Sequence, residues 1–269
     1  MIKSVSIVGC GWFGLPLAKA LVKAGFDVRG SKRTEEQALL LQQEGISGFC
    51  VDLDDSETLS AGLPQLDSDC LVVNVPPGFR RDPDAYLRRL IRLKQRVVDC
   101  QYQRIIFISS TGVYPSQNQI ATEADAEIHS IASQYLLEAE QVFSDMAPTC
   151  VLRFAGLVGP KRHPGRFLSG KQNISGGRTP VNLVHLTDCV QAVLKVISAK
   201  KVQPVYNLCA LEHPSRASFY QAASTHLNVA MPVFNNEDVA GKTVDGRLIT
   251  QDLGFEYQFN APINMLDYC

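Results

Sequence analysis

The chain has 269 residues, a formal net charge of −1, and a composition 45% hydrophobic and 20% charged. That length buries a large core, either as one α/β domain or as a domain with a smaller lobe, and the composition is that of an ordinary globular protein. The near-zero charge leaves no basic surplus for nucleic acid or an anionic membrane, and no apolar run reaches the ~18 residues that a membrane span needs.

Met1-Ile2-Lys3-Ser4 leads straight into VSIVG (5–9), so the start reads as a first strand rather than a secretion signal. Further strand-like runs are DVRG (27–30), GFCV (48–51), CLVVNV (70–75), RIIFIS (104–109) and TCVLRFA (149–155). They are short and β-branched, and their apolar residues do not alternate, as in parallel strands covered on both faces. Helical spacing falls between them near 13–24, 34–44, 84–100 and 130–145. After residue 156 glycine, proline and basic residues dominate up to 180. A helix near 187–199, the strand VYNLC (205–209) and a helix near 215–226 follow, and 231–269 is loop-rich. The eight cysteines form no CxxC pair and no metal-ligand spacing. They read as reduced, mostly apolar packing residues of a cytoplasmic protein with no metal site.

Gly9-Cys10-Gly11-Trp12-Phe13-Gly14 fits GxGxxG, follows a strand and opens a helix, which is the context that gives the motif meaning. Gly9 allows the tight turn, Gly11 lets the backbone approach a pyrophosphate, and Gly14 permits close helix–strand packing. With the strand–helix alternation, this predicts an α/β fold: a Rossmann-type doubly wound parallel sheet with a small C-terminal substrate lobe. The expected division is a dinucleotide-binding domain over 1–156 and a substrate-side lobe over 157–269, interleaved with it and packed on it.

At the end of the second strand an NAD-binder usually carries Asp or Glu. This chain has Ser31-Lys32-Arg33 there, with Asp27 too early and Glu35 and Glu36 too late. A hydroxyl beside two cations suits a 2′-phosphate, which favours NADP over NAD; the alternative is a solvated loop. Asp52-Leu53 after the third strand can meet the adenine edge or form a turn. Asn74-Val75-Pro76, after the fourth, lies where backbone borders a cofactor crevice.

Four further segments carry a family resemblance. Ile108-Ser109-Ser110-Thr111-Gly112-Val113-Tyr114 is similar to an "SS..VYG" segment. Leu152-Arg153 through Gly159-Pro160 is similar to "R...YGP", with Leu157 in place of the aromatic. Val181 to Asp188 is similar to "N.VHV.D", and Tyr206-Asn207 to a late "YN" strand. With the glycine turn, these resemble the extended short-chain dehydrogenase/reductases, the NAD-dependent epimerase/dehydratase superfamily, and in GPKRHPGRF…VNLVHLTD its atypical YeeZ-like branch.

The resemblance implies a hydroxyl residue followed by Tyr-x-x-x-Lys on the next helix. Ser110 matches the hydroxyl. The helix HSIASQYLLEAEQVF puts Ser130 and Gln134 on the Tyr and Lys positions, and no lysine lies between Lys94 and Lys161. Tyr135 is one residue off, a rotation of ~100°. Ser110, Gln134 and Tyr135 are therefore the catalytic candidates, with Tyr114, His129 and Glu123 as other proton-bearing groups. A site that only binds nucleotide is the alternative. The basic loop Lys161, Arg162, His163 and Arg166 borders the substrate pocket of the resembled family and suits a phosphorylated small molecule such as a sugar nucleotide. Lys171 extends it. His185 reads as a structural histidine, Asp188 as a first-turn helix residue, and Asp245-Gly246-Arg247 as a segment within reach of the pocket. Relatives pair through the helices read here as 84–100 and 130–145, which implies a homodimer, although Arg88, Arg89, Arg92 and Arg96 read as a solvated face.

Overall fold

The structure, a computed structural model, describes residues 1–55, 63–78 and 82–269. In chain order the first elements are β1 (Ser4–Val8), α1 (Gly14–Lys23), β2 (Asp27–Lys32), α2 (Glu35–Leu39), β3 (Ser47–Cys50), β4 (Cys70–Val73), α3 (Pro83–Arg96), β5 (Arg104–Ser110), β6 (Ile120–Ala121) and α4 (Ile131–Gln141). Then come β7 (Thr149–Phe154), β8 (Gly156–Val158), β9 (Leu183–His185), α5 (Leu186–Ser198), β10 (Val205–Leu208), α6 (Arg216–His226), β11 (Thr243–Val244) and α7 (Leu248–Leu253).

Seven strands form one sheet in the order β3-β2-β1-β4-β5-β7-β10. β1 pairs in parallel with β2 and with β4, β2 with β3, and β4 with β5. Val151 and Ala155 donate to the carbonyls of Pro204 and Leu208, an equal offset that makes β7 and β10 parallel as well. The fold is thus the expected α/β, Rossmann-like parallel sheet. Strand order reverses between β1 and β4, the point where such sheets receive ligands. Pairs β6–β11 and β8–β9 make two small parallel sheets.

The helices start where the sequence supplies caps. Thr34, Asp82 and Ser130 each accept a backbone N–H from the first turn of α2, α3 and α4, relieving an orphan donor. The helix expected over 34–44 splits: α2 stops at Leu39, a tighter 3₁₀ turn covers Leu40–Glu44, and Gly45 ends it at φ 73°. The loop-rich tail contains α7 and a 3₁₀ turn over Pro262–Tyr268.

Contacts divide the chain into two compact units. One comprises Met1–Ser109, Ser130–Leu152 and Val193–Val205. Its core is the sheet interior, with Val5, Ile7, Leu17, Leu21, Val72, Ile105 and Ile106 fully buried. The other comprises Ser110–His129, Arg153–Ala192 and Tyr206–Cys269. Val158, Phe219, Phe259, Met265 and Leu266 lie in its own apolar cluster. Asp188, at the start of α5, accepts the N–H groups of Gln258 and Phe259 at 2.7 and 3.3 Å, and His185 Nε2 lies 3.2 Å from the Tyr268 carbonyl. The VNLVHLTD motif therefore anchors the C-terminal segment.

Candidate functional site

The glycine turn joins β1 to α1. Gly9 has φ 102°, and a Cβ there would sit 2.2 Å from the Asn74 carbonyl oxygen. A Cβ on Gly14 would sit 2.2 Å from the Gly9 oxygen, so the helix can approach the strand only without a side chain. Gly11 differs from both: nothing lies within 4 Å of where its Cβ would be. Its backbone is exposed, so a ligand could come against the turn there. α1 starts three residues on, at Gly14, with no acidic residue in its first turn to offset the positive end of its dipole. Closed packing at Gly9 and Gly14 with open space at Gly11 fits a pyrophosphate.

Two residues from other strands brace the turn. Ser31 Oγ accepts the Gly9 N–H at 2.9 Å, and the Ser31 carbonyl accepts the Cys10 N–H at 3.1 Å. Asn74 Nδ2 donates to the Gly9 carbonyl at 2.9 Å. Ser31 therefore differs from the expectation for it. It is 3% exposed and lies beneath the turn, leaving Lys32 half-buried and Arg33 exposed at the surface. Cys10 is filler, its thiol pushed up to about 12 by burial. Trp12 is half-buried and Phe13 buried, while Val75 and Pro76 follow β4 half-buried and exposed.

The segment after β3 is clamped. Asp52 Oδ1 accepts the Asp54 N–H at 3.0 Å, a turn that leaves Leu53 buried. Arg89 on α3 holds Asp54 with two bonds, Nε to Oδ1 at 2.8 Å and Nη2 to Oδ2 at 2.7 Å. Arg92 donates to the Leu53 carbonyl at 3.0 Å. The arginine run on α3 is thus not one solvated face. Its spacing held a signal, because positions 89 and 92 share a helix face, but no local pattern names Asp54 as the partner.

The catalytic candidates fall in different places. Ser110 ends β5 half-buried, and its Oγ accepts the Gly112 N–H at 3.1 Å. In the same unit His129 Nε2 lies 3.1 Å from the Gly112 carbonyl. Tyr114 is fully buried. Its hydroxyl donates to Asn207 Oδ1 at 2.6 Å and accepts from Arg153 at 2.8 Å, and burial pushes it up to about 12. Glu123 accepts the Asn207 N–H at 2.8 Å, with burial raising its carboxyl. Lys242 was not legible in the sequence. It lies 131 residues from Thr111, yet its ammonium donates to the Thr111 carbonyl at 2.9 Å and also to the Tyr114 carbonyl.

On α4, in the other unit, Ser130 and Ser133 form a reciprocal capping pair. Gln134 is exposed and donates to Glu138 at 2.8 Å, one turn along the same helix. Tyr135 donates its hydroxyl to Asp84 on α3, so it serves the packing of the two helices.

In the basic loop Lys161 adopts φ 64°, and Lys161, Arg162 and Arg166 are exposed. His163 differs from the expected substrate contact. It is 6% exposed, its Nδ1 accepts the Gly165 N–H at 3.0 Å, and its ring stacks on His226 at 5.2 Å. Its Nε2 lies 3.2 Å from His226 Nδ1, and His226 Nε2 lies 2.9 Å from Asp267. Burial and the neighbouring His226 and Arg166 push the His163 pKa down. Among the described residues no group of three or more His, Cys, Asp or Glu could hold a metal ion, and no helix is long and apolar enough to cross a membrane.

The sequence profile of the NAD dependent epimerase/dehydratase family matches residues 5–209. The chain belongs to this family. It is 37% identical to Protein YeeZ of Escherichia coli strain K12, over 98% of this chain and 99% of that protein. The fold is similar to UDP-glucuronic acid 4-epimerase from Bacillus cereus in complex with NAD, with a TM-score of 0.78, 17% identity, and 98% and 96% of the two chains covered. It is also similar to UDP-glucose 4-epimerase with UDP-glucose from Thermotoga maritima, with a TM-score of 0.79, 14% identity and 98% of each chain covered.

Proposed function

We propose that this protein binds a nicotinamide dinucleotide on the Gly9–Gly14 turn, NADP in preference to NAD, and acts as an oxidoreductase or epimerase on a sugar nucleotide or another phosphorylated small molecule. The observation that carries the reading is the built turn, closed at Gly9 and Gly14 and open at Gly11. Lys32 and Arg33 support the preference for a 2′-phosphate, and Asp52, Leu53, Asn74, Val75 and Pro76 complete the walls. The exposed cations Lys161, Arg162 and Arg166 support a phosphorylated substrate. When bound, the nicotinamide supplies hydride acceptance and return. Ser110 is the group assigned to orient the substrate. The reading includes a cytoplasmic location, a homodimer through α3 and α4, and division of labour between residues 1–156 and 157–269.

One observation favours a second reading. Ser130, Gln134 and Tyr135 are engaged in a helix cap, a bond to Glu138 and a bond to Asp84. A protein that binds the dinucleotide without hydride transfer fits those three residues. Turnover separates the two. The protein is incubated with NADP or NAD and a panel of UDP-sugars, and the sugar anomeric signals are followed by NMR. Cofactor-dependent conversion supports the enzyme. Binding without conversion across the panel supports the second reading.

A further inference from the structure

β2 and β3 end side by side. Lys32 is in register with Cys50, and the Val51 N–H bonds the Lys32 carbonyl at 2.8 Å. The Cys50 thiol lies 3.2 Å from the Arg33 carbonyl. The chain leaving β2 at Arg33 and the chain leaving β3 at Asp52 are therefore tied together at the sheet edge. Into this corner α3 projects Arg89, which grips the Asp54 carboxylate with both arms of its guanidinium, and Arg92, which holds the carbonyls of Leu53 and Asp54 at 3.0 and 3.4 Å. The Asp54 side chain is half exposed, whereas that of Arg89 is 21% exposed. Hydrogen bonds from Arg89, with the charges of Arg89, Arg33 and Arg92, hold the Asp54 carboxyl below the usual carboxylate range. Among the described residues, Arg33, Arg89 and Arg92 thus act on Asp54, a solvent-facing carboxylate, with Asp52 and Asp55 as further anions at the same corner.

We infer that Asp54, held by Arg89, limits the preference of this protein for NADP by acting as a built-in competitor for the 2′-phosphate. The inference rests on the nucleotide-binding reading above. A 2′-phosphate approaching Arg33 meets a guanidinium field partly cancelled by Asp54, and like-charge repulsion adds to the loss. NAD carries no charge at that position, so its affinity depends on Asp54 only through the shape of the loop. An Arg89–Asp54 pair that merely fixed the loop would treat both cofactors alike.

The two ends of the pair then give opposite signs. Asp54→Asn keeps an acceptor for Arg89 but removes the negative charge, so NADPH binds about tenfold more tightly. Arg89→Met leaves Asp54 uncompensated, so NADPH binds about tenfold more weakly. NADH affinity stays within about twofold in Asp54→Asn, which keeps the clamp, and falls less than NADPH affinity in Arg89→Met, which loosens it. The experiment is fluorescence titration of the full-length protein and both variants with NADPH and NADH, at low and high salt, with thermal melts to confirm folding. Opposite NADPH shifts that shrink at high salt support the inference. Parallel losses for both cofactors, or no change in either variant, overturn it while leaving the nucleotide site intact. Wild-type protein that binds neither cofactor overturns the underlying reading as well.

Discussion

The glycine turn predicts that binding and folding can be separated by single methyl groups. Gly11 lies outside the left-handed region, and its Cβ would meet nothing within 4 Å. Gly11→Ala should therefore fold normally, and the restricted unfolded chain should even add about 0.4–1 kcal/mol of stability. Gly14→Ala is different, because its Cβ would lie 2.2 Å from the Gly9 oxygen and 3.3 Å from Asn74 Nδ2. Relief requires opening the brace, at a cost of roughly 1–3 kcal/mol. For a dinucleotide the order reverses. The Gly11 methyl occupies the approach to the pyrophosphate, so Gly11→Ala should weaken NADPH and NADH at least about tenfold, or ~1.4 kcal/mol. Urea denaturation without nucleotide reads the first effect and nicotinamide fluorescence the second. A folded Gly11→Ala protein that binds either cofactor as tightly as wild type would refute the placement of the pyrophosphate over this turn.

Other outcomes follow from the same geometry. Burial raises the Asp188 carboxyl from 3.8 to about 6, so the folded state holds a proton that the unfolded chain has lost. Stability from this group is full below pH 4 and falls as pH rises through 6, by up to about 3 kcal/mol. Denaturation across that range should show a slope in wild type that Asp188→Asn removes. Tyr135→Phe loses the bond to Asp84 and should cost no more than about 1.5 kcal/mol, with cofactor titrations unchanged. Tyr114→Phe leaves the buried Asn207 oxygen and Arg153 short of a partner and should cost about 1–3 kcal/mol in a thermal melt.

The strands and glycine turn were legible because their signals are local. A β-branched run before GxGxxG carries its own physical reason, and the caps at Thr34, Asp82 and Ser130 lie within three residues of what they bond. What escaped was reached through the fold. Ser31 has the right position and chemistry for a 2′-phosphate, yet its hydroxyl turns under Gly9, 22 residues away. His163 sits in a basic loop that looks ligand-facing, but its ring is buried and packs on His226, 63 residues on. Arg89 finds Asp54 across 35 residues, and Lys242 finds the turn after Ser110 from near the other end of the chain. Composition and spacing name the chemistry that a loop can do. Only packing decides which side chains remain available to do it.

The central claim is that the Gly9–Gly14 turn holds a nicotinamide dinucleotide. Titration of the purified full-length protein with NADPH and NADH, followed by nicotinamide fluorescence, tests it most directly. Saturable binding of NADPH, tighter than that of NADH, is the predicted result. Absence of binding by both would contradict the claim and leave GCGWFG as a structural turn.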